Sequence, residues 1–178
     1  MAQTVALLIF SGVQSLDVSG PLDVFAEAAR FLPSAAHYRL EVIAAEAGPL
    51  SCSNGWPVQA HRHYRDAGQA YDLLLVAGGP ALVEREFDPA LYAWLREASA
   101  RAARFGSICN GALILARAGL LEGRRVTTHW NDAALLGELC PSATVEPDRL
   151  FVRAGALYSS AGVTAGIDLA LHLLAQDH

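Results

Sequence analysis

The chain has 178 residues, 53% hydrophobic and 17% charged, with a formal net charge of −5 at pH 7. This length suits one domain with one sizeable core, the apolar fraction argues against disorder, and the acidic balance argues against a free-standing nucleic-acid surface. Three cysteines, Cys52, Cys109 and Cys140, make no even disulfide framework; with no charged-then-apolar leader and no apolar run long enough to span a bilayer, the expected setting is the cytoplasm.

Residues 4–10 (TVALLIF) form a continuous apolar run, which predicts a buried parallel strand rather than a half-exposed one. Gly20–Pro21 is expected to open a helix running to residue 30, because proline suits a first turn. A second strand is expected over 38–44. The polar stretch 48–65, punctuated by Pro and Gly, reads as a hairpin or loops. Residues 72–77 (DLLLVA) predict a third strand ending at Gly78–Gly79–Pro80. Asp88 caps a helix from Pro89 to about residue 104, with Leu91, Trp94, Leu95 and Ala98 on one face. A short strand at Ser107–Ile108 leads to Cys109 and a helix to residue 118. A turn over 119–123 and a short strand over 126–128 follow. Asn131 or Asp132 caps the next helix, strands are expected over 145–152 and 156–159, and a final helix over 163–175. Strands alternating with helices predict a single domain with a mostly parallel sheet covered on both faces. The end at residues 176–178 lacks a glycine cap or proline stop, which points to a piece of a longer protein.

The most telling stretch is Ser107–Ile108–Cys109–Asn110–Gly111–Ala112. A strand ends, small residues flank one cysteine, and an Ala/Leu-rich helix follows, which is the layout of a nucleophile elbow. Gly106 and Gly111 leave the turn room that a Cβ would take. A thiol there faces the first free N–H groups of a helix, which favours the thiolate. The N–H of Asn110 and those of the Gly78–Gly79 turn would face the same point and stabilise an oxyanion or a bound carboxylate. Two readings stay open: a working nucleophile, and an elbow used only to bind ligand.

Asp17 follows the first strand at its carboxyl end, where open α/β sheets bind ligands. It reads as a site acid, or as an Asx or capping residue for the Gly20–Pro21 turn. His129 and Trp130 read as pocket residues, with a structural histidine as the plainer alternative. His61 and His63 are spaced for a metal, but no third ligand is nearby, and neither a metal nor a cofactor is expected. Cys52 and Cys140 read as incidental.

Five segments resemble the class I glutamine-amidotransferase-like superfamily, the ThiJ/PfpI proteins: residues 15–25, 76–79, 107–112, 119–130 and 160–171. The resemblance implies a flavodoxin-like three-layer α/β/α sandwich. It places Asp17 beside Cys109, holding the proton when the sulfur is ionised. Two branches share these segments: the N-terminal domain of AraC-family transcriptional regulators, and isonitrile hydratase. The Tyr158–Ser159–Ser160–Ala161–Gly162 approach to the last helix and Ala77 before Gly78–Gly79 look more like the regulators. Asn110 departs from both branches, where threonine is usual.

The resemblance therefore implies a sensor and dimerisation domain for a small-molecule ligand. It would act as a homodimer and reach DNA only through a C-terminal helix-turn-helix domain that these residues do not include. The alternatives are a Cys109-dependent hydratase with Asp17 as proton shuttle, and a reactive-thiol stress protein. Catalytic candidates are Cys109 and Asp17; ligand-binding candidates are Gly78, Gly79, Asn110, His129 and Trp130.

Overall fold

In the computed structural model, which describes residues 3–68 and 70–178, the hydrophobic runs become the middle of one sheet. The elements are β1 (Thr4–Ile9), α1 (Ser15–Ala28), β2 (Arg39–Ala44), β3 (Leu50–Ser51), β4 (Pro57–Val58), β5 (Arg62–His63), β6 (Leu73–Val76) and α2 (Pro89–Arg101). They continue as β7 (Arg104–Ser107), α3 (Ala112–Arg117), β8 (Arg125–Val126), α4 (Ala133–Leu139), β9 (Thr144–Val145), β10 (Phe151–Ala154), β11 (Leu157–Ser160) and α5 (Ala165–Asp177).

The seven-stranded sheet runs β10-β11-β7-β6-β1-β2-β5. Among the described residues of this sheet, only the β10–β11 pair is antiparallel. The central strands β1 and β6 are apolar and almost wholly buried, as a strand covered on both faces must be. From β1 the chain crosses to β2 in one direction; from β6 it crosses to β7 in the other. Right-handed crossovers in opposite directions put their helices on opposite faces. Accordingly α1 packs with α5, and α2 with α3. This is the flavodoxin-like α/β arrangement expected from the sequence.

Several elements differ from expectation. α1 begins at Ser15, and Pro21 lies inside it. Gly20 and Pro21 mark helix packing rather than a helix start: a Cβ on Gly20 would meet Ile167 Cγ1 at 2.8 Å, so α1 sits directly on α5. Helix α2 stops at Arg101, and Arg104 already belongs to β7. The expected strand over 145–152 is two elements, split by a turn at Pro147–Asp148: β9 pairs with β8 in a separate small sheet, while β10 joins the main one. The 48–65 region supplies the β3–β4 hairpin and the edge strand β5. His61 Nδ1 accepts the Val42 N–H at 2.9 Å and His63 Nδ1 that of Arg65 at 3.3 Å, so both imidazoles serve backbone groups. Asp88 caps α2 as expected, accepting the Ala90 N–H at 2.9 Å.

Candidate functional site

The carboxyl ends of β1, β6 and β7 meet where the strand order reverses, and the candidate residues gather there. Open α/β sheets form their binding crevice at this point. Cys109 follows β7 at the start of a 3-10 turn, Cys109–Gly111, that leads into α3. Its φ is +56°, and among the described residues the only other non-glycine with positive φ is Val163 at +43°. Such backbone costs about 1 kcal/mol or more per residue and persists only where its surroundings impose it. Here Cys109 N donates to Ala161 O at 3.2 Å and Thr128 Oγ1 donates to Cys109 O at 3.0 Å. Gly111 lets the turn lie against β6, since a Cβ there would strike the Val76 carbonyl. The elbow backbone is therefore strained at Cys109.

Asp17 sits in the first turn of α1, fully buried. Its Oδ2 accepts the Gly78 N–H at 3.0 Å. Its Oδ1 is buried with no hydrogen-bond partner among the described residues. The position a Cβ on Gly78 would occupy lies 2.6 Å from Asn110 Oδ1, 2.8 Å from Asp17 Oδ2 and 2.8 Å from Cys109 Cβ. Gly78 is thus the floor on which three site side chains converge. The acid and the thiol are neighbours, as the resemblance implied, and the capping alternative for Asp17 does not occur.

Electrostatics reverse the expected thiolate. Burial pushes Cys109 up to about 12; nearby Asp17 adds to the rise, the N–H groups of Val163 and Asn110 oppose it, and Asp132 adds a further push. Burial also raises Asp17 to about 7, against the pull of the Gly78 N–H and the Cys109 thiol. A helix terminus contributes about 0.3–1 kcal/mol, whereas a three-unit rise corresponds to about 4 kcal/mol. Desolvation wins, and α3 is only six residues long. At neutral pH the sulfur is a thiol and Asp17 is near half-titration. Iodoacetamide should therefore label Cys109 slowly at pH 7, no faster than buried Cys52 and Cys140, with a rate still climbing between pH 8 and 10. Site-resolved mass spectrometry checks this; fast labelling that levels off near pH 7 would show a preformed thiolate.

Of the three expected oxyanion donors, the Asn110 N–H faces the Cys109 sulfur and the other two are taken by side chains. Gly78 N–H goes to Asp17, and Gly79 N–H goes to Asn110 Oδ1 at 2.8 Å. Asn110 Nδ2 donates to Gly79 O at 3.1 Å and to Asp132 Oδ2 at 3.0 Å. Asn110 is thus an internal tie. Above this web lies a cleft of about 260 Å³ whose lining includes Gln14, Gly79, Cys109, His129, Asp132 and Val163. His129 sets the Cδ2 edge of its ring against Gly162, where a Cβ would collide with it, and its Nδ1 accepts the Asn131 N–H at 3.3 Å. Trp130 does not join the lining; its side chain is 72% exposed. Gly78 lies beneath the cleft rather than in its wall.

Sequence reasoning missed Gln14, Asp132 and Val163 as cleft residues and Thr128 as the residue holding the Cys109 carbonyl. Asp132 was legible only as a helix cap. Val163 acts through its backbone, which leaves no signal in the side chain.

The chain is 35% identical over 173 residues to isonitrile hydratase of Pseudomonas putida, covering 97% of this chain and 71% of that protein. It is 36% identical over 178 residues to the HTH-type transcriptional regulator CdhR of Pseudomonas aeruginosa, covering 100% of this chain and 52% of that protein; it thus spans about half the length of that regulator. A solved ThiJ/PfpI family protein from Pseudomonas syringae superposes with a TM-score of 0.84 at 26% identity, over 99% of this chain and 69% of that one. The DJ-1/PfpI family matches residues 3–176, nearly the whole chain and every element that builds the site, and the chain belongs to that family.

Proposed function

We propose that this chain is the ligand-sensing domain of an AraC-type transcriptional regulator. The observation that carries the reading is the spent state of the elbow: the Gly78 and Gly79 amides already bind Asp17 and Asn110, and Cys109 is held as a thiol. With both glycine amides committed to side chains and the Asn110 and Val163 N–H groups turned to the sulfur, the donors are not free for a developing oxyanion, whose stabilisation is usually the largest catalytic contribution. What remains is a small cleft with a fixed polar floor, suited to binding. Similarity to CdhR along the full length of this chain supports the same reading. In this reading the domain works in the cytoplasm as a homodimer and reaches DNA through a separate C-terminal domain.

One observation favours a second reading. Asp17, titrating near 7 beside a cysteine, is poised as a general acid–base. In an isonitrile hydratase Cys109 would attack the isonitrile carbon, Asp17 would move the proton, and water would release the N-substituted formamide and free thiol. The test is incubation with an alkyl isonitrile and detection of formamide. The sensor reading expects none; turnover that disappears in Cys109→Ala would overturn it.

A further inference from the structure

The segment between β6 and α2 forms one wall of the cleft. Its first turn, Pro80–Val83, places Pro80 and Val83 in the lining, while Leu82 is fully buried. The next residues, 84–88, belong to no helix or strand. Among the described residues, Arg85, Glu86 and Phe87 make no backbone-to-backbone hydrogen bond. Side chains hold this stretch instead. Arg117, the last residue of α3, donates from Nη1 to Leu82 O at 3.1 Å, from Nη2 to Val83 O at 3.2 Å and from Nε to Glu86 Oε1 at 3.0 Å. The Tyr92 hydroxyl donates to Glu86 Oε2 and accepts the Phe87 N–H, both at 3.1 Å. Arg85 Nη1 donates to Ser11 O, and its guanidinium pairs with Glu46 and lies 4.8 Å from the Phe87 ring centre.

We propose that residues 83–87 are a hinged flap over the cleft and that Arg117 is its latch, so that the flap sets the size of molecule that reaches Cys109. The proposal rests on reading this cleft as the place where ligand enters. A segment tied by a few side chains, with no ladder of its own, opens at lower cost than the buried strands beside it. The latch is built unevenly: the Arg117 side chain is 9% exposed and that of Glu86 is 73% exposed. The cation is thus fixed in the protein while its anion stands in water. Leu82 stays in the core as the hinge, and the exposed Val83 is the cleft residue that swings. One planar guanidinium holds two consecutive carbonyls and a carboxylate at once, so releasing it frees the whole flap. Helix α3 carries the latch at one end and grows from the Cys109–Gly111 turn at the other. Flap and elbow are therefore set by the same short helix.

The test is labelling of the full chain at pH 8 with N-methylmaleimide and N-(1-pyrenyl)maleimide, read site by site by mass spectrometry. The two probes share a reactive group and differ in bulk. Cys140, buried and outside the cleft lining, is the internal standard. Arg117→Met should raise pyrenyl labelling of Cys109 at least tenfold relative to Cys140, and N-methyl labelling less than threefold. Arg96→Met should change neither rate, because Arg96 bonds the Ala118 carbonyl at the same end of α3 rather than the flap. Should Arg117→Met fail to fold, Glu86→Ala decides: it removes an exposed side chain that Arg117 and Tyr92 both hold, and should raise pyrenyl labelling at least threefold. Unchanged labelling in the deciding variant, or a rise equal for both probes and matched at Cys140, would overturn the flap and leave the sensor reading standing. Conversely, Cys109-dependent formamide production with the size effect intact would overturn the sensor reading and keep the flap.

Discussion

Asp17→Asn is expected to stabilise the protein at pH 8, and the gain should vanish near pH 4. The folded carboxyl titrates near 7 against an ordinary value of 3.8, with burial as the main cause. Between those values the folded state holds a proton that the unfolded state has released, so wild-type stability falls as pH rises through this window. The contribution is fully present below about pH 4 and lost above pH 7. At about 1.4 kcal/mol per unit, ionising Asp17 costs on the order of 4 kcal/mol, which an uncharged amide avoids. Asparagine can still offer an oxygen to the Gly78 N–H. Urea unfolding of both proteins at pH 4, 6 and 8 provides the check. A variant less stable than wild type at pH 8, or a difference independent of pH, would show that Asp17 is not destabilised by its burial.

Gly106→Ala should be the most damaging small substitution in the fold. Gly106 lies in β7, between β6 and β11, opposite Leu75 and Tyr158. A methyl group there would run into the Tyr158 carbonyl, so the obstacle is backbone rather than a movable side chain. Ordinary overpacking costs about 1–3 kcal/mol; with the sheet itself displaced, a loss of about 4 kcal/mol is expected, among the larger single-site effects. Gly137 is the control. It lies in α4 with nothing within 4 Å of an added Cβ, so Gly137→Ala should be neutral or stabilise by about 0.5–1 kcal/mol. Equal effects from the two changes would refute the packing argument.

Much of this arrangement was legible because it is written in side-chain type. Continuous apolar runs marked β1 and β6, Asp88–Pro89 marked the start of α2, and small residues around Cys109 marked the elbow. Gly20–Pro21 misled because two residues suited to starting a helix here serve close packing on α5. Pro147 carried the signal for the split between β9 and β10. The charge state of Cys109 was not legible: local sequence shows a helix N-terminus, while the dominating desolvation comes from residues far along the chain. The fates of the Gly78 and Gly79 amides were hidden likewise, since they depend on which side chains fold back to them.

The same distances in sequence govern how the site comes into being. Gly78 meets Asp17 across 61 residues, Gly79 meets Asn110 across 31, and Thr4 meets Asp72 across 68. Long-range parallel pairing is slow, because loop closure precedes any reward. The desolvation that quiets Cys109 therefore arrives only once such long-range pairings have formed. Until then the sulfur is an ordinary, water-exposed thiol on an incomplete chain, so this cysteine is chemically most vulnerable during biosynthesis rather than in the mature fold.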